Sequence, residues 1–461
     1  MSEDLIDQAL SMSREHPSGI DVLVVGAGLA GLGFAIEAYR KGHNVRILER
    51  RPDTNDYGDF ITIQSSALRT PENWPGFLEY CSAFHFGKAG TICTYDGTVL
   101  GTVEYPLTIS RVALHHALHK YAARLGIEIK FSTRVMDYFE DDEKAGIILE
   151  DGSNLVADIV IAADGIGSRS WNIVSGFKET PISSGFAMFR ATYPAEYALK
   201  RPLVAEKFGD DPEKGFIIVG PGSVHVIIAR SKDQMVFLLT HKDEGTAEET
   251  WTNKRSVDYA LPYVKGWSPF ISEVIDAVPG REAVDFKLMW RNPRDNWASP
   301  KCRVIQVGDA AHTFLPTSAS GATMALEDGY SLAACLHIAG KNNTPLAVKV
   351  HNHLRAERVS CGQRMGFKTR EVWHLTNWDK FEKGQTFPNV VGSWIVDHDP
   401  QQYAYDNYEA CASFLTKGTP FKNTNGVPGY TPKPWTIHEL LSAAADRGER
   451  LEDEGEWFSR K

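Results

Sequence analysis

The first fifty residues contain two apolar runs of strand length, separated by an apolar run of helical length. Residues 22–25 are all apolar, residues 29–40 are mostly apolar or small, and residues 45–48 are apolar except for Arg46. Runs of four or five such residues favour buried strands, and a run of twelve favours a helix. The order strand, helix, strand predicts a βαβ unit of a parallel sheet.

The pattern changes along the rest of the chain. The apolar run at 155–163, interrupted only by Asp158, predicts one buried strand. Residues 84–103 alternate around an Asp-Gly turn, which predicts a hairpin, and short strands recur between 181 and 242, which predicts an antiparallel sheet. The predicted fold class is therefore α/β, with a second, antiparallel sheet and a helical C-terminal region.

Three further stretches predict helices. Ser110 can cap a helix that runs to Leu125, and Gly321 opens a long apolar helix. The chain from about residue 342 to Trp378 also has helical character.

Composition and charge narrow the classes of function. The 461 residues carry a formal net charge of −10, which gives no electrostatic case for nucleic acid. The six cysteines are scattered without a C-x-x-C pair, so we expect reduced thiols and a cytoplasmic protein. No apolar run is long enough for a stable membrane span, and residues 1–19 favour a structural or disordered extension over a targeting role.

The turn inside the predicted βαβ unit carries three spaced glycines followed by an acid. Gly26 permits a tight turn, Gly28 lets the backbone approach a pyrophosphate at the helix N-terminus, and Gly31 allows close packing of helix and strand. Glu49 ends the second strand 18 residues after Gly31, where a carboxylate can accept from ribose hydroxyls. This combination predicts a dinucleotide-binding site.

Two later fragments complete the pattern. Asp164 and Gly165 follow the buried run at 155–163, and Gly308-Asp309 precedes a loop and the helix that starts at Gly321. Together with the early glycines, these fragments resemble the group A FAD-dependent monooxygenases of the para-hydroxybenzoate hydroxylase fold. The resemblance covers roughly residues 20–375 and is closest to the salicylate-hydroxylase-like fungal branch of secondary metabolism.

The resemblance implies a cofactor, an activity and a domain arrangement. It implies FAD, with NADPH or NADH as a transient co-substrate and O2, and the hydroxylation or epoxidation of an aromatic or indole-type natural product through a hydroperoxide at flavin C4a. It implies a monomer or homodimer with a small-molecule partner. The implied domains are a discontinuous Rossmann-like FAD-binding domain at 20–83, 104–180 and 285–340, a substrate-binding sheet domain at 84–103 and 181–284, and a helical C-terminal region at 341–461.

The resemblance also assigns cofactor contacts. Asp309 suits a ribityl hydroxyl, and the backbone N–H groups of Gly321 and Ala322 suit the flavin C2 carbonyl, where the helix dipole stabilises negative charge. Pro316 is implied to lie beside the flavin edge, and Arg111 to reach the phosphates or ribose. A solvated helix charge is the alternative for Arg111.

Asp164 and His312 are assigned less directly. We expect Asp164 to brace the cofactor side, with a turn-capping acid as the alternative. For His312 we expect a structural hydrogen bond rather than a role in proton transfer. No residue is assigned as a metal ligand.

Arg190 is the candidate catalytic residue on the substrate side. Strand alternation puts it on one face with Phe186 and Met188, where an arginine is costly to bury without a partner. The matching arginine of some fungal members can hold a phenolate or donate a proton. The alternative is an edge-strand arginine in solvent or in a salt bridge.

The sequence departs from the family pattern in two places. A stretch that often reads Gly-Ala-Gly is Gly58-Asp59-Phe60 here, and we expect this change to bring Asp59 near the pocket. Residues 215–218 lack the tyrosine that some members carry, so we assign no deprotonating tyrosine and expect an apolar pocket. His225 lies on the next strand, and we interpret it as a packed or exposed histidine rather than as a base.

Two rival functions follow from the same residues. One is a flavin oxidoreductase that transfers hydride without oxygen. The other is a binding protein that keeps the fold without chemistry, like the GDP-dissociation inhibitors. The intact phosphate glycines, Glu49 and Asp309 argue against the second rival.

Overall fold

A computed structural model describes most of the chain. The described residues are 2–54, 58–87, 89–211, 214–250, 252–375, 378, 391–447 and 454–459. Within the predicted C-terminal region at 341–461, residues 376–377, 379–390, 448–453 and 460–461 lie outside these ranges.

Eighteen strands lie within these ranges. They are β1 (Asp21–Val25), β2 (Asn44–Leu48), β3 (Phe60–Ile63), β4 (Ala89–Thr94), β5 (Val99–Glu104), β6 (Leu107–Ser110), β7 (Glu128–Lys130), β8 (Val135–Glu140), β9 (Ala145–Leu149), β10 (Asn154–Ala157), β11 (Ile159–Ala162), β12 (Ile182–Pro194), β13 (Lys214–Val219), β14 (His225–Arg230), β15 (Gln234–Lys242), β16 (Lys254–Ser256), β17 (Glu282–Trp290) and β18 (Val304–Gln306).

Thirteen α-helices lie within the same ranges. They are α1 (Ser2–Asp7), α2 (Leu29–Arg40), α3 (Phe77–Ser82), α4 (Arg111–Arg124), α5 (Trp171–Val174), α6 (Ala195–Leu199), α7 (Pro202–Phe208), α8 (Pro269–Asp276), α9 (Gly321–Ala339), α10 (Thr344–Leu375), α11 (Ser393–Val396), α12 (Pro400–Lys417) and α13 (Ile437–Arg447).

The parallel sheet has five strands in the order β18-β11-β1-β2-β7. β1 lies between β11 and β2 and is parallel to both, and α2 crosses from β1 to β2. The predicted βαβ unit is confirmed. Helix α9 packs against α2 and is buried along nearly its whole length, so the helix that follows the late glycine motif is part of the central core.

The second large sheet has eight strands in the order β16-β17-β12-β15-β14-β13-β4-β5. The predicted antiparallel strands between 181 and 242 form its centre, and the predicted hairpin, now β4 and β5, extends it through a parallel pairing of β4 with β13. The parallel sheet with its packed helices, the antiparallel sheet and the later helices together confirm the predicted α/β fold class.

The apolar run at 155–163 differs from its prediction. It forms two strands rather than one: β10 pairs with β9 in a small antiparallel sheet, and β11 pairs with β1 in the parallel sheet. The break is at Asp158, whose carboxylate accepts from the N–H of Asp21 at 2.8 Å and pairs with Lys144 at 2.7 Å and Lys341 at 3.1 Å. A buried carboxylate with these partners fixes the point at which the chain changes sheets.

One of the predicted domain boundaries falls inside a strand. The boundary between residues 284 and 285 falls inside β17, which spans Glu282–Trp290 and pairs with β12 in the eight-stranded sheet. The division into domains stays a prediction.

The N-terminal extension packs onto the core. Ile6, Ala9 and Met12 are buried in the main hydrophobic cluster. In the part of the chain that the structure describes, every helix is too short or too polar to cross a membrane.

Candidate active site

The three sequence fragments meet at one place in the fold. Gly26 has φ +103°, and a Cβ there would collide with the carbonyl of Ala163 at the end of β11. Gly308 has φ +58°, and a Cβ there would come 2.9 Å from the Cβ of Ala30 in the first turn of α2. The early, middle and late motifs therefore share one site.

The N-terminus of α2 lies open beside Gly28. Gly28 caps the helix in an extended conformation, and a Cβ built on it would meet no protein atom within 4 Å. The first N–H groups of a helix have no acceptor within the helix, so they can bind an anion in this space. At Gly31, by contrast, a Cβ would collide with the carbonyl oxygen of Gly26.

Glu49 lies at the carboxyl end of β2, beside the glycine loop. Its two carboxylate oxygens accept from the N–H groups of Ala27 and Arg51, each at 2.8 Å. These bonds hold the carboxylate next to the open helix end, in a position that suits the predicted ribose contact.

Asp309 lines a cleft of about 320 Å³ together with Arg294 and His312. Its side chain is open to the cleft, yet protein surrounds it on the other sides. This burial raises the pKa of the Asp309 carboxyl and outweighs the nearby His312 and Arg111, which lower that pKa. The carboxyl can therefore meet a hydroxyl group placed in the cleft.

A buried charge network lies behind this turn. Asp328 on α9 accepts from the N–H of Gly308 at 3.0 Å, bonds His312 Nε2 at 2.6 Å and accepts from Arg355 Nε at 3.0 Å. Burial alone would raise the pKa of Asp328, but His312 and Arg355 outweigh it and lower the pKa to about 2. The expected structural hydrogen bond of His312 is thus present, and it anchors the turn that carries Asp309.

The network continues to the C-terminal region. Glu327 pairs with Arg355 and with Arg358, whose Nε and Nη2 each donate to it at 2.9 Å. Arg358 also donates to the backbone carbonyls of Trp394, Ile395 and Asn425. These bonds connect the cofactor side of α9 to residues far along the chain.

A second cavity, of about 310 Å³, opens where α9 begins. The loop after Asp309 and the start of α9 form one wall, and the eight-stranded sheet forms the opposite wall. The predicted site residues on its surface are Arg190, Pro316, Gly321 and Ala322. The apolar side chains around it include Phe60, Phe86, Met188, Phe216, Ile217, Ile227, Leu238, Phe314 and Leu315.

Arg190 is not a free cation in this cavity. Its guanidinium forms an ion pair with Asp59, and the other Asp59 oxygen accepts from Thr192 Oγ1 at 2.8 Å. The salt bridge that was the alternative for Arg190 therefore exists, but at the cavity wall. The Asp59 carbonyl also accepts from the N–H of Arg111 at 2.7 Å, which connects the pair to the start of α4.

Arg111 and Asp164 lie at the edges of the site. Arg111 is the first residue of α4, after the Ser110 cap, and its side chain packs over Gly58. Asp164 accepts from Tyr138 Oη at 2.8 Å, and burial raises the pKa of its carboxyl. Their cofactor roles stay predictions.

These surroundings fit FAD. The space above Gly28 beside free helix N–H groups suits a pyrophosphate, the carboxyl of Asp309 suits a polyol chain, and the apolar cavity at Gly321 suits a flat ring. Residues 309–313 line the cleft and 314–322 line the cavity, so one continuous segment connects the two spaces.

Sequence reasoning missed the residues that hold these loops in place. His115 bonds the Ala27 carbonyl at 2.7 Å, and Arg294 Nη2 donates to the carbonyls of Ala310 and Ala311 at 3.1 and 2.9 Å. An apolar stripe on α4 gave no sign that His115 faces the glycine loop. The acidic pair at 327 and 328 inside an apolar helix was a usable signal for the buried network.

Comparison with known proteins agrees with a site for FAD. Residues 19–345 match the model of a family described as an FAD binding domain. The FAD-dependent monooxygenases fsr3 of Gibberella fujikuroi and mdpD of Emericella nidulans are each 36% identical to this chain; both alignments cover 97% of it, with 91% and 92% of the respective relatives. The crystal structure of CtdE in complex with FAD and substrate 4 is 29% identical and covers 86% of this chain and all of its own, with a TM-score of 0.80.

Proposed function

Since the chain belongs to the FAD-dependent monooxygenases that share this FAD-binding domain, we propose that it uses NADPH or NADH and O2 to hydroxylate or epoxidise an aromatic or indole-type natural product. The observation that carries the proposal is the apolar cavity between the start of α9 and the eight-stranded sheet, with Arg190 in its wall. It is of a size and polarity for a flat organic ring system.

When bound, FAD would supply the redox chemistry that couples nicotinamide oxidation to oxygen transfer. At the adenosine end the chain would hold the cofactor through the open helix N-terminus at Gly28 and the carboxylate of Glu49, while Gly26 and Gly31 shape the turn that presents them. Gly321 and Ala322 present backbone N–H groups at the ring end. Arg111, Asp164, Asp309 and Pro316 are proposed to complete the contacts.

On the substrate side, Arg190 and Asp59 act as a unit. The carboxylate fixes the guanidinium at the cavity wall, where its positive charge can face a hydroxyl or a developing oxyanion of the substrate. The apolar walls exclude water, which strengthens this contact. The hydride-transfer rival would use the same cofactor contacts but leave no oxygen in the product.

We also propose a cytoplasmic monomer or homodimer. All six cysteines are buried and none forms a disulfide, which supports a reducing compartment.

The test is turnover of the purified, FAD-loaded protein with NADPH or NADH, an ¹⁸O₂ atmosphere and a panel of aromatic and indole metabolites. We expect substrate-stimulated nicotinamide oxidation and one ¹⁸O atom in the product. A product formed without ¹⁸O would favour the hydride-transfer rival and overturn the proposal.

A further inference from the structure

His225 is a polar ring in an otherwise apolar part of the cavity wall. It is the first residue of β14 and 4% exposed, and it lines the cavity together with Ile227 and Ile217. Burial lowers the pKa of its imidazole to about 4, so the ring is neutral near pH 7 and offers one N–H donor and one lone pair.

One nitrogen of the His225 ring lacks a hydrogen-bond partner within the described ranges. Nδ1 is buried and has no hydrogen-bond partner among the residues that the structure describes. Buried polar atoms in folded proteins nearly always have a partner, and one without a partner costs stability. Nδ1 itself has almost no accessible surface, so a ligand in the cavity would contact the ring through its other nitrogen, Nε2.

Two rings hold the imidazole in a fixed orientation. The Trp373 ring is stacked at 5.3 Å between centroids and 28° between planes, and the His374 ring lies at 5.4 Å and 31°. Burial also keeps His374 neutral, with its pKa lowered to about 2. His225 therefore meets a ligand without first losing rotational freedom.

The strand register sets the distance between His225 and Arg190. Arg190 is opposite Leu238 on β15, and Leu238 is opposite Ile227 on β14. His225 is two residues from Ile227, so it is on the same face as Arg190. Two strand spacings of about 4.8 Å and two residues of about 3.4 Å put their Cα atoms about 12 Å apart.

The charges at the two ends are balanced. Arg190 is offset by Asp59, and His225 carries no charge. A ligand ion would meet no unpaired counter-charge among these groups and would lose its hydration. A neutral ligand with hydrogen-bonding groups at both ends suits the arrangement.

We propose that His225 is a substrate-binding residue that hydrogen-bonds a hydroxyl or carbonyl at the end of the substrate opposite Arg190. The site then selects flat, neutral, fused-ring compounds with a polar substituent at each end. This inference rests on the proposed function, because it takes the cavity as the substrate site.

The test is equilibrium binding to the FAD-loaded protein without reductant, followed by flavin absorbance. The probes are 2,6-dihydroxynaphthalene, with a hydroxyl at each end, and 2-naphthol, with one. We expect the wild type to bind the diol about tenfold more tightly, the value of one net hydrogen bond. His225→Phe keeps a stacked ring, but its affinities for the two probes should lie within twofold of each other. His225→Gln should keep part of the preference for the diol.

The ratio of the two affinities distinguishes ligand contact from a structural role, because general damage weakens both probes alike. A wild type that binds neither probe, or shows no preference between them, overturns the inference without any variant. So does a His225→Phe protein with the wild-type ratio. A protein that prefers the diol yet incorporates no ¹⁸O overturns the proposed function and leaves this inference standing.

Discussion

At the scale of single residues, Gly28 and Gly31 belong to one motif but have opposite surroundings. Gly28 faces open space, whereas Gly31 faces the backbone of Gly26. Their spacing in the sequence predicts that Gly28 serves a ligand and Gly31 serves packing, and the structure adds the open and filled surroundings that make the two roles separately testable.

Gly28→Ala should therefore affect the cofactor and spare the fold. Without FAD, its free energy of unfolding should stay within about 0.5 kcal/mol of the wild type, because the new methyl group meets no protein atom. The dissociation constant for FAD should rise about tenfold or more, since the methyl group enters the space proposed for the pyrophosphate. Denaturant unfolding of the FAD-free protein and a flavin fluorescence titration measure the two effects.

Gly31→Ala is the matched control with the reverse expectation. Its methyl group meets a backbone carbonyl, so the FAD-free protein should lose about 1–3 kcal/mol. If Gly28→Ala binds FAD as the wild type does, the assignment of the pyrophosphate to this helix end is wrong.

Arg190→Ala tests the substrate side at the same scale. Loss of the guanidinium should lower the rate of product formation per bound FAD by about tenfold or more, because the charged contact proposed between Arg190 and the substrate is lost. Arg255→Ala is the control: Arg255 pairs with Asp285 at 2.8 Å in the same sheet, so it also breaks an ion pair. Its rate per bound FAD should match the wild type.

Normalising to bound FAD separates catalysis from folding, since Arg190→Ala also leaves Asp59 buried with Thr192 as a remaining partner. An unchanged rate and product pattern in Arg190→Ala would refute the catalytic assignment.

At the scale of elements, α9 joins the cofactor site to the buried charge network. Its first residues line the cavity, and Asp328, two turns later, anchors Gly308. The sequence predicted the start of this helix from Gly321 but could not predict Arg355 as a partner, because that residue comes from α10 and the contact depends on how the two helices pack.

Asp328→Asn should weaken both the fold and the cofactor site. Removing one charge from a buried, hydrogen-bonded cluster costs about 3 kcal/mol, and the Gly308-Asp309 turn loses part of its anchor. Denaturant unfolding and FAD content after gel filtration measure the two losses. Asp142→Asn, which removes an exposed partner of Lys301, should leave both unchanged.

If Asp328→Asn unfolds at the wild-type denaturant concentration, the network contributes nothing to stability, and the positioning role of Asp328 fails with it.

At the scale of the whole molecule, local patterns predicted the elements better than their partners. The glycine turn, the Ser110 cap and the Asp-Gly hairpin are set by neighbouring residues, and each formed as predicted. The split at Asp158 and the pairing of Asp59 with Arg190 depend on residues more than a hundred positions away. Apolar periodicity carries no information about such contacts.

The three carbonyl groups that Arg358 binds have a consequence for domain exchange between relatives. A guanidinium sealed in the interior tolerates no loss of its acceptors, so a chimera joined after α10 inherits the cation from one parent and must receive matching acceptors at positions 394, 395 and 425 from the other. Grafting a foreign tail onto this enzyme is thus limited less by its length than by whether it delivers those oxygens to the same point.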